Sequence, residues 1–169
     1  MTSYACLLRA VNVGGTGKLP MAALRAMCET AGFTDVRTYI ASGNVMLRSA
    51  STAPQVQATL QAALAEYAGK PVAVLVRTAA EMAAVLDANP FPDASPSRVV
   101  VVFLDRPPLP DALDTVSGRA GEELWLGTRE IHVHYPDGIG ASKLKIPGAK
   151  AGTARNLNTV AKLVGMAAN

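Results

Sequence analysis

Apolar and polar positions follow one another along the chain in segments that predict alternating strands and helices. Residues 4–11, YACLLRAV, have the length and composition of a buried strand and lead into a loop rich in Asn and Gly. Pro20 then opens a helix whose apolar residues recur at helical spacing until Gly32 ends it. Two strands near 36–40 and 44–48 flank a short Ala-Ser-Gly turn and predict a β-hairpin.

The following segments complete the first half of the chain. A second amphipathic helix runs from Pro54 to Gly69, and residues 71–77, PVAVLVR, form another buried strand. Thr78 and Glu81 have the spacing of a capping box, which predicts the start of a third helix. The first six elements therefore have the order βαββαβ, which is typical of a ferredoxin-like unit.

A Pro-rich segment, residues 89–97, separates this half from the next. After it the sequence predicts a buried strand in RVVVVFL, a short helix, a second hairpin and a last helix that begins close to Thr153. The second half thus has the order βαββ, loop, α, which repeats the first half without its final strand. We predict an α/β (α+β) fold of two ferredoxin-like subdomains, residues 1–88 and 98–169, joined by the link at 89–97.

Composition limits the class of protein. Half of the residues are hydrophobic but only 5% are aromatic, so a folded core is expected and few rings are left to stack on nucleobases. Cys6 and Cys28 lie in apolar segments and are expected to be buried free thiols of a cytoplasmic protein. The first residues show no basic leader, and their apolar stretch is too short for a membrane span, so no membrane association is expected.

The charges are unevenly distributed. Residues 1–137 contain 11 Lys and Arg against 13 Asp and Glu, a net charge of −2, whereas residues 138–169 contain five basic residues and no acidic one. The five are Lys143, Lys145, Lys150, Arg155 and Lys162. A local basic excess suits an anionic ligand or partner, although a solvated, solubilising surface explains it equally well.

The start of the last predicted helix is the most informative part of this basic segment. With Thr153 as its N-cap, backbone N–H groups would face outward and Arg155 would add a bidentate donor beside them. Lys143 and Lys145 precede it in the loop, so the segment predicts an anion-binding clamp. Helix capping combined with solvated charge is the alternative.

Two other loops are candidates for the same site. The glycine-rich segment 12–18, NVGGTGK, is not a P-loop, because Asn12 and Leu19 occupy the places of its first Gly and its final Ser or Thr. Its backbone N–H groups could still hold an anion, or the glycines could serve the conformation of the loop alone. Ser42 and Asn44 either belong to the site edge or are ordinary hairpin-turn residues.

Catalytic and metal chemistry have weaker signals. His132 and His134 alternate along a strand and share a face, but no third ligand is evident, so we expect partly exposed histidines and no metal. Neither Ser142-Lys143 nor Cys6 with a histidine lies on a nucleophile elbow. No cofactor is indicated, and an enzymatic activity stays open.

Five segments carry a resemblance to a known family. In order they are LLRAVNVGGTGKLPMAALR, GFTDVRTYIASGNVML, NPF, YPDGIGASKL and ARNLNTVAKL, and together the chain resembles the bacterial family known as domain of unknown function 1697. The resemblance implies two ferredoxin-like halves and no known activity. The recurrent family positions correspond here to Arg9, Asn12, Gly14, Gly15, Lys18, Pro20, Ser42, Gly43, Asn44, Ser142, Lys143, Arg155, Asn156 and Thr159.

The chain departs from the family in its last part. Leu157 stands where members commonly have Trp, and the segment between the Ser-Lys-Leu and Arg-Asn motifs is shortened to KIPGAKAGTA without the usual acidic residues. The loss of those acids contributes to the basic character of this part of the chain.

The function expected from the sequence is binding of a small anionic ligand, bearing a phosphate or a nucleotide, in a crevice between the subdomains. The expected ligand-binding residues are Arg9, Asn12, Gly14, Gly15, Lys18, Ser42, Asn44, Ser142, Lys143, Lys145, Arg155, Asn156 and Thr159. The alternatives are a nucleic-acid-binding protein and a protein-interaction module that uses the basic C-terminal segment.

Overall fold

The computed structural model describes residues 1–9, 19–39 and 43–167. The described part is a mixed α/β structure with two four-stranded antiparallel sheets and four α-helices. The chain divides into two compact units, Met1–Ala83 with Leu163–Asn169, and Ala84–Lys162. The subdomain limits expected from the sequence stay a prediction.

The first unit contains the predicted βαββαβ order. Its elements are β1 (Thr2–Leu8), α1 (Met21–Thr30), β2 (Thr34–Tyr39), β3 (Asn44–Ser49), α2 (Ala53–Ala68) and β4 (Val74–Thr78). The strands are hydrogen-bonded in the order β2-β3-β1-β4, and all three neighbouring pairs are antiparallel. The predicted hairpin between β2 and β3 is confirmed, and its turn residues 40–42 lie outside the described residues.

The core of the first unit is formed where the apolar face of the sheet packs against the apolar faces of the helices. Alternate residues of β1, including Cys6 and Leu8, pack against residues at helical spacing in α1 and α2. Both cysteines are free and buried, as predicted, and burial raises the pKa of both thiols, that of Cys28 to about 12. Tyr67 follows the helical spacing of the apolar residues of α2 but is 53% exposed, because it lies at the last turn of the helix.

Local capping signals begin and end the helices. α3 (Ala79–Asp87) begins at the predicted capping box, in which Thr78 N donates to Glu81 Oε1 (2.9 Å) and Glu81 N donates to Thr78 Oγ1 (3.1 Å). Gly69 ends α2 with a φ of 71°, a left-handed conformation that a residue with a Cβ adopts only at a cost. None of the helices in the described ranges is long and apolar enough to span a bilayer.

The second unit contains a second sheet with equivalent strand order. Its strands are β5 (Val99–Phe103), β6 (Glu123–Leu126), β7 (Glu130–His134) and β8 (Thr153–Asn156), arranged as β6-β7-β5-β8. Its core is formed by one face of β5 and β7, with Val100, Val102, Ile131, Val133 and Tyr135. The helix predicted after β5 is only a 3₁₀ turn at Ala112–Thr115.

The last strand, β8, corrects the sequence-based prediction. Thr153 does not begin a helix; residues 153–156 pair with β5, with Arg155 opposite Val101 and Thr153 opposite Phe103. The segment alternates between buried and exposed residues, which is the period of a strand. The final strand of the second half is therefore present, and α4 (Leu157–Ala167) begins four residues later than predicted.

Candidate functional site

Several predicted site residues lie in the first unit. Arg9 follows β1, its side chain is exposed, and its backbone N–H donates to the Ala73 carbonyl (2.9 Å). Asn44 is completely buried in β3, where its Nδ2 donates to the Tyr39 carbonyl (3.1 Å) and helps close the hairpin. This contact favours the turn interpretation of Asn44. The other predicted residues of these loops, Asn12, Gly14, Gly15, Lys18 and Ser42, lie outside the described residues.

Arg155 lies in strand β8 and not at the start of a helix, so its predicted placement is wrong. Its side chain is only 7% exposed in β8, and Nη1 donates to Thr153 Oγ1 (2.6 Å) and to the Ala154 carbonyl (2.9 Å). Burial lowers the pKa of Arg155 to about 10, so the guanidinium still carries its charge at neutral pH. The guanidinium group therefore forms hydrogen bonds within its own strand.

The start of α4 is capped by a different residue from the one predicted. Asn156 Oδ1 accepts a hydrogen bond from the backbone N–H of Thr159 (2.9 Å), which is the geometry of an N-cap. Asn156 and Thr159, both expected to bind the ligand, are therefore in contact with each other. The hydrogen bond between them caps the helix.

The loop that carries Lys143 and Lys145 is fixed to a neighbouring segment. Lys145 and Ser117 exchange both backbone hydrogen bonds, at 2.8 and 3.0 Å, while the Lys145 side chain is exposed. Gly118 follows with a φ of 71°, and a Cβ at this position would overlap the Lys143 carbonyl. A glycine is required where the two backbones approach so closely.

A pocket of about 320 Å³ opens beside Ser142 and Lys143. It is formed by three segments of the second unit, namely residues 118–122, 135–138 and 141–143. Its chemically active lining residues are Glu122, Tyr135, Asp137, Ser142 and Lys143. The structure thus places two of the predicted residues together in one concave site.

Glu122 is the central polar group of this pocket. It is 5% exposed; Ser142 Oγ donates to Oε2 (2.6 Å), and the Ala120 backbone N–H donates to Oε1. The Ser142 hydroxyl, followed by the Ala120 N–H, holds the pKa of Glu122 below its usual value, and the nearby Arg119 charge acts in the same direction. Glu122 is therefore a carboxylate at neutral pH.

Ser142 connects this carboxylate to the lysine loop. Its Oγ donates to Glu122 and accepts a hydrogen bond from the Leu144 backbone N–H (3.1 Å). Because the hydroxyl is engaged on both sides, Ser142 orients Glu122 and the backbone that precedes Lys145. This arrangement fits a positioning residue rather than a nucleophile.

Tyr135 provides a neutral phenol next to the carboxylate. Burial, and then the Glu122 charge, raises the pKa of Tyr135, so its hydroxyl keeps its proton well above neutral pH. Lys143 and Asp137 are exposed at the pocket. The pocket therefore offers one buried carboxylate, one phenol, one solvent-facing ammonium and one solvent-facing carboxylate.

Sequence reasoning missed Glu122. Tyr135 and Asp137 lie in the YPDGIGASKL motif but were not proposed as site residues. Glu122 and Ser142 are 20 residues apart, and the Ser117–Lys145 contact and the β6–β7 pairing of Glu123 with His134 bring their segments together. No short motif marks such a contact. Gly118 and Gly121, just before Glu122, both have positive φ. Two closely spaced glycines are a sequence signal of a turn at this place.

The two histidines of β7 have different environments. His132 is 1% exposed, so the expected partial exposure is wrong for it, and its Nδ1 has no hydrogen-bond partner among the described residues. Burial lowers the pKa of His132. His134 Nδ1 lies 3.0 Å from Glu123 Oε1. Within the described ranges, no three His, Cys, Asp or Glu side chains are grouped as metal ligands.

Comparison with known proteins gives a structural relative and a family. The structure of a conserved bacterial protein from Streptococcus pneumoniae is similar over 98% of this chain and 98% of its own, with a TM-score of 0.82 and 25% sequence identity. No curated protein matches the chain. The model of the family described as "Protein of unknown function (DUF1697)" matches residues 1–132, a region that includes Glu122 but ends before Ser142. This match covers most of the chain, so the protein belongs to the DUF1697 family, as the sequence motifs indicated.

Proposed function

We propose that the pocket beside Ser142 and Lys143 binds a small anionic ligand that bears a phosphate group. The observation that carries this proposal is the position of Lys143, an exposed cation at the lining of a concave pocket whose walls are held by backbone hydrogen bonds. Ligand sites are typically concave and contain a few polar groups in fixed positions. Arg155, which the sequence offered as a second cation, has no part in this proposal because it is buried in β8.

The loop around Lys143 is held before any ligand arrives. The Ser117–Lys145 backbone pair and the Ser142 Oγ–Leu144 N bond fix the residues on both sides of Lys143. Binding to a fixed loop loses less conformational entropy than binding to a mobile one. The backbone that carries the ammonium group is therefore preorganised.

The size of the pocket favours a compact ligand. Its volume of about 320 Å³ lies at the lower end of the range for small-molecule sites, which is roughly 300–1,000 Å³. A small phosphorylated metabolite suits this volume better than a dinucleotide does.

Calorimetric titration with a panel of phosphate compounds tests the proposal. The Lys143→Ala variant is expected to lose binding, whereas Lys145→Ala, which removes an exposed lysine of the same loop that does not line the pocket, keeps it. Thermal shift provides a second readout, because a ligand at 100 times its Kd stabilises the protein by about 2.7 kcal/mol. Wild-type affinity in Lys143→Ala would contradict the proposal.

The same experiment separates a second candidate function. Lys143, Lys145 and Lys150 are all exposed within eight residues, which also suits a basic surface for nucleic acid or for an acidic protein. Such a surface would lose affinity by similar amounts in the Lys143 and Lys145 variants, and its binding constant would fall steeply with salt.

We also propose that both halves have the ferredoxin-like arrangement. The support is the equivalence of the strand orders β2-β3-β1-β4 and β6-β7-β5-β8, in which each strand occupies the same place along its own half of the chain. Superposition of the two sheets in an experimental structure, strand for strand and with equal directions, would test this proposal.

A further inference from the structure

The pocket contains a carboxylate, that of Glu122, which would repel a ligand that carries only negative charge. Glu122 is almost completely buried and carries a negative charge at neutral pH, because hydrogen bonds from Ser142 and Ala120 stabilise its carboxylate. Two like charges in the same pocket repel each other. A ligand that presents only an anion is therefore matched to Lys143 but opposed by Glu122.

The carboxylate has an acceptor position left over. Its two oxygens offer about four lone-pair sites. Within the described residues two hydrogen bonds to it are seen, from the Ser142 hydroxyl and from the Ala120 N–H. With respect to the described residues, the carboxylate can therefore accept a further hydrogen bond from a ligand.

We propose that Glu122 selects the ligand by accepting a hydrogen bond from one of its hydroxyl groups, so that the pocket recognises a polyol phosphate. This inference rests on the proposed function: Lys143 pairs with the phosphate, and Glu122 binds the hydroxyl-bearing end. A hydroxyl group donates to the carboxylate without bringing a charge of its own into the pocket, and it can also bond the Tyr135 phenol.

Tyr135 supports a hydroxyl-bearing ligand. Tyr135 lines the same pocket, and its phenol stays protonated at neutral pH, since burial and the Glu122 charge both raise its pKa. A phenol can donate to or accept from a second hydroxyl of the ligand. A ligand with neighbouring hydroxyl groups would thus meet both side chains.

Four small probes separate these contributions. Glycerol 3-phosphate has the phosphate and the hydroxyls, methyl phosphate has the phosphate alone, glycerol has the hydroxyls alone, and phosphoethanolamine replaces the hydroxyls by an ammonium group. Calorimetry on the wild-type protein is expected to show glycerol 3-phosphate binding about tenfold or more tightly than methyl phosphate, as a charged hydrogen bond provides. Glycerol alone is expected not to bind.

The Glu122→Gln variant gives the decisive result. Without the negative charge, glycerol 3-phosphate is expected to bind more weakly and methyl phosphate more tightly, so the two affinities move in opposite directions. A merely structural role of Glu122 would weaken both. Ser142→Ala, which keeps the carboxylate but removes its orienting hydroxyl, is expected to reduce the preference for glycerol 3-phosphate without raising the affinity for methyl phosphate.

Each possible outcome decides one of the two proposals. If the wild-type protein binds methyl phosphate as tightly as glycerol 3-phosphate, the selection by Glu122 is overturned while the phosphate site stands. Tightest binding of phosphoethanolamine overturns the choice of a hydroxyl group. If no phosphate compound binds the wild-type protein, the proposed function fails and the inference fails with it. The wild-type preference needs no variant, so the proposal stays falsifiable even if Glu122→Gln does not fold.

Discussion

The loop at Ser142–Lys143 and the junction at Arg155–Asn156 belong to the same acid-free segment, but they use their polar side chains in opposite ways. Lys143 is exposed at a pocket. Arg155 is 7% exposed, donates to neighbours in its own strand, and has its pKa lowered to about 10 by burial. Asn156 caps α4.

The difference shows that a basic segment is not a basic surface. The charge of a residue follows from the sequence alone, but its exposure depends on the strand to which its segment pairs. Because β8 pairs with β5, Arg155 is directed to a buried face of the sheet, whereas the loop before it has no strand partner beyond Lys145 in the described part of the chain.

Gly118→Ala is expected to break the loop and to have the largest effect. The new Cβ would overlap the Lys143 carbonyl, and the residue would also have to adopt a φ of 71°. We expect a loss of about 3 kcal/mol in the free energy of unfolding, since left-handed strain costs roughly 1–2 kcal/mol and overpacking roughly 1–3 kcal/mol. Urea denaturation measures the loss, and titration with phosphate ligands should show that binding is lost as well.

Gly121→Ala is the matched control for this variant. Gly121 also has a positive φ, of 92°, but a Cβ there would meet no atom within 4 Å. It should therefore lose only about 1–2 kcal/mol, which is the cost of the strained backbone. Equal losses in the two variants would show that the close approach of residue 118 to Lys143 is unimportant.

Arg155→Ala is expected to break the other side of the comparison. The variant removes a buried cation that donates to Thr153 Oγ1 and to the Ala154 carbonyl, and leaves the acceptors without these donors. A loss of about 2 kcal/mol is expected in urea denaturation, as for other buried hydrogen-bonded groups. The Lys143→Ala variant, in contrast, should stay within about 0.5 kcal/mol of the wild type because its side chain is exposed.

The ligand experiment completes this contrast. Once the folded fraction is accounted for, Arg155→Ala should bind phosphate compounds as the wild type does, whereas Lys143→Ala should not. A stable Arg155→Ala protein that has lost ligand binding would instead support the role of Arg155 in anion binding that was expected from the sequence.

The fold was more predictable than the site because its signals are local. The strand–helix order of the first half followed from apolar periodicity, and the Thr78–Glu81 capping box was visible as a four-residue pattern. β8 was missed because Thr-Ala-Arg-Asn resembles a helix start, and only its pairing with β5 makes it a strand. Four residues are too few for their periodicity to decide between the two.

The pocket shows the same limit more strongly. Lys143 was found through the basic segment and Ser142 through a family motif, and both signals point to single positions. Glu122 was missed because its partner Ser142 is 20 residues away, and the two meet through tertiary contacts. Residue spacing carries no information about such a pair.

The pH dependence of stability sharpens the assignment of Glu122 as a charged group. Because hydrogen bonds lower the pKa of Glu122 in the folded protein, its contribution to stability is fully present above the pKa of the unfolded chain, about 4.3 for Glu. The contribution is lost as the pH falls through the lower, folded value. The difference in the free energy of unfolding between wild type and Glu122→Gln should therefore be constant from pH 7 to about 5 and shrink below about pH 4.

Urea denaturation of both proteins at a series of pH values measures this difference directly. All other titrating groups are common to the two proteins and largely cancel in the comparison. The free energy of unfolding of Ser142→Ala should fall less between pH 5 and pH 3 than that of the wild type. This variant lacks the Ser142 hydrogen bond, which is the largest cause of the lowered Glu122 pKa. A difference that stays flat down to pH 3 would mean that the carboxylate is not stabilised in the folded state.

Asn156→Ala has the smallest expected effect and decides what the strand–helix junction does. If Asn156 is the N-cap of α4, the variant leaves the Thr159 N–H without its acceptor and lowers the free energy of unfolding by about 1 kcal/mol. Asn156→Asp keeps an acceptor at the same place, adds a negative charge near the positive end of the helix, and should be as stable as the wild type or more so. If this helix start were an anion-binding site, Asn156→Asp would instead lower the affinity for phosphate compounds, since the new carboxylate would repel the ligand. Unchanged phosphate affinity in Asn156→Asp, together with full stability, would therefore assign the junction to the fold and leave the Lys143 pocket as the site of binding.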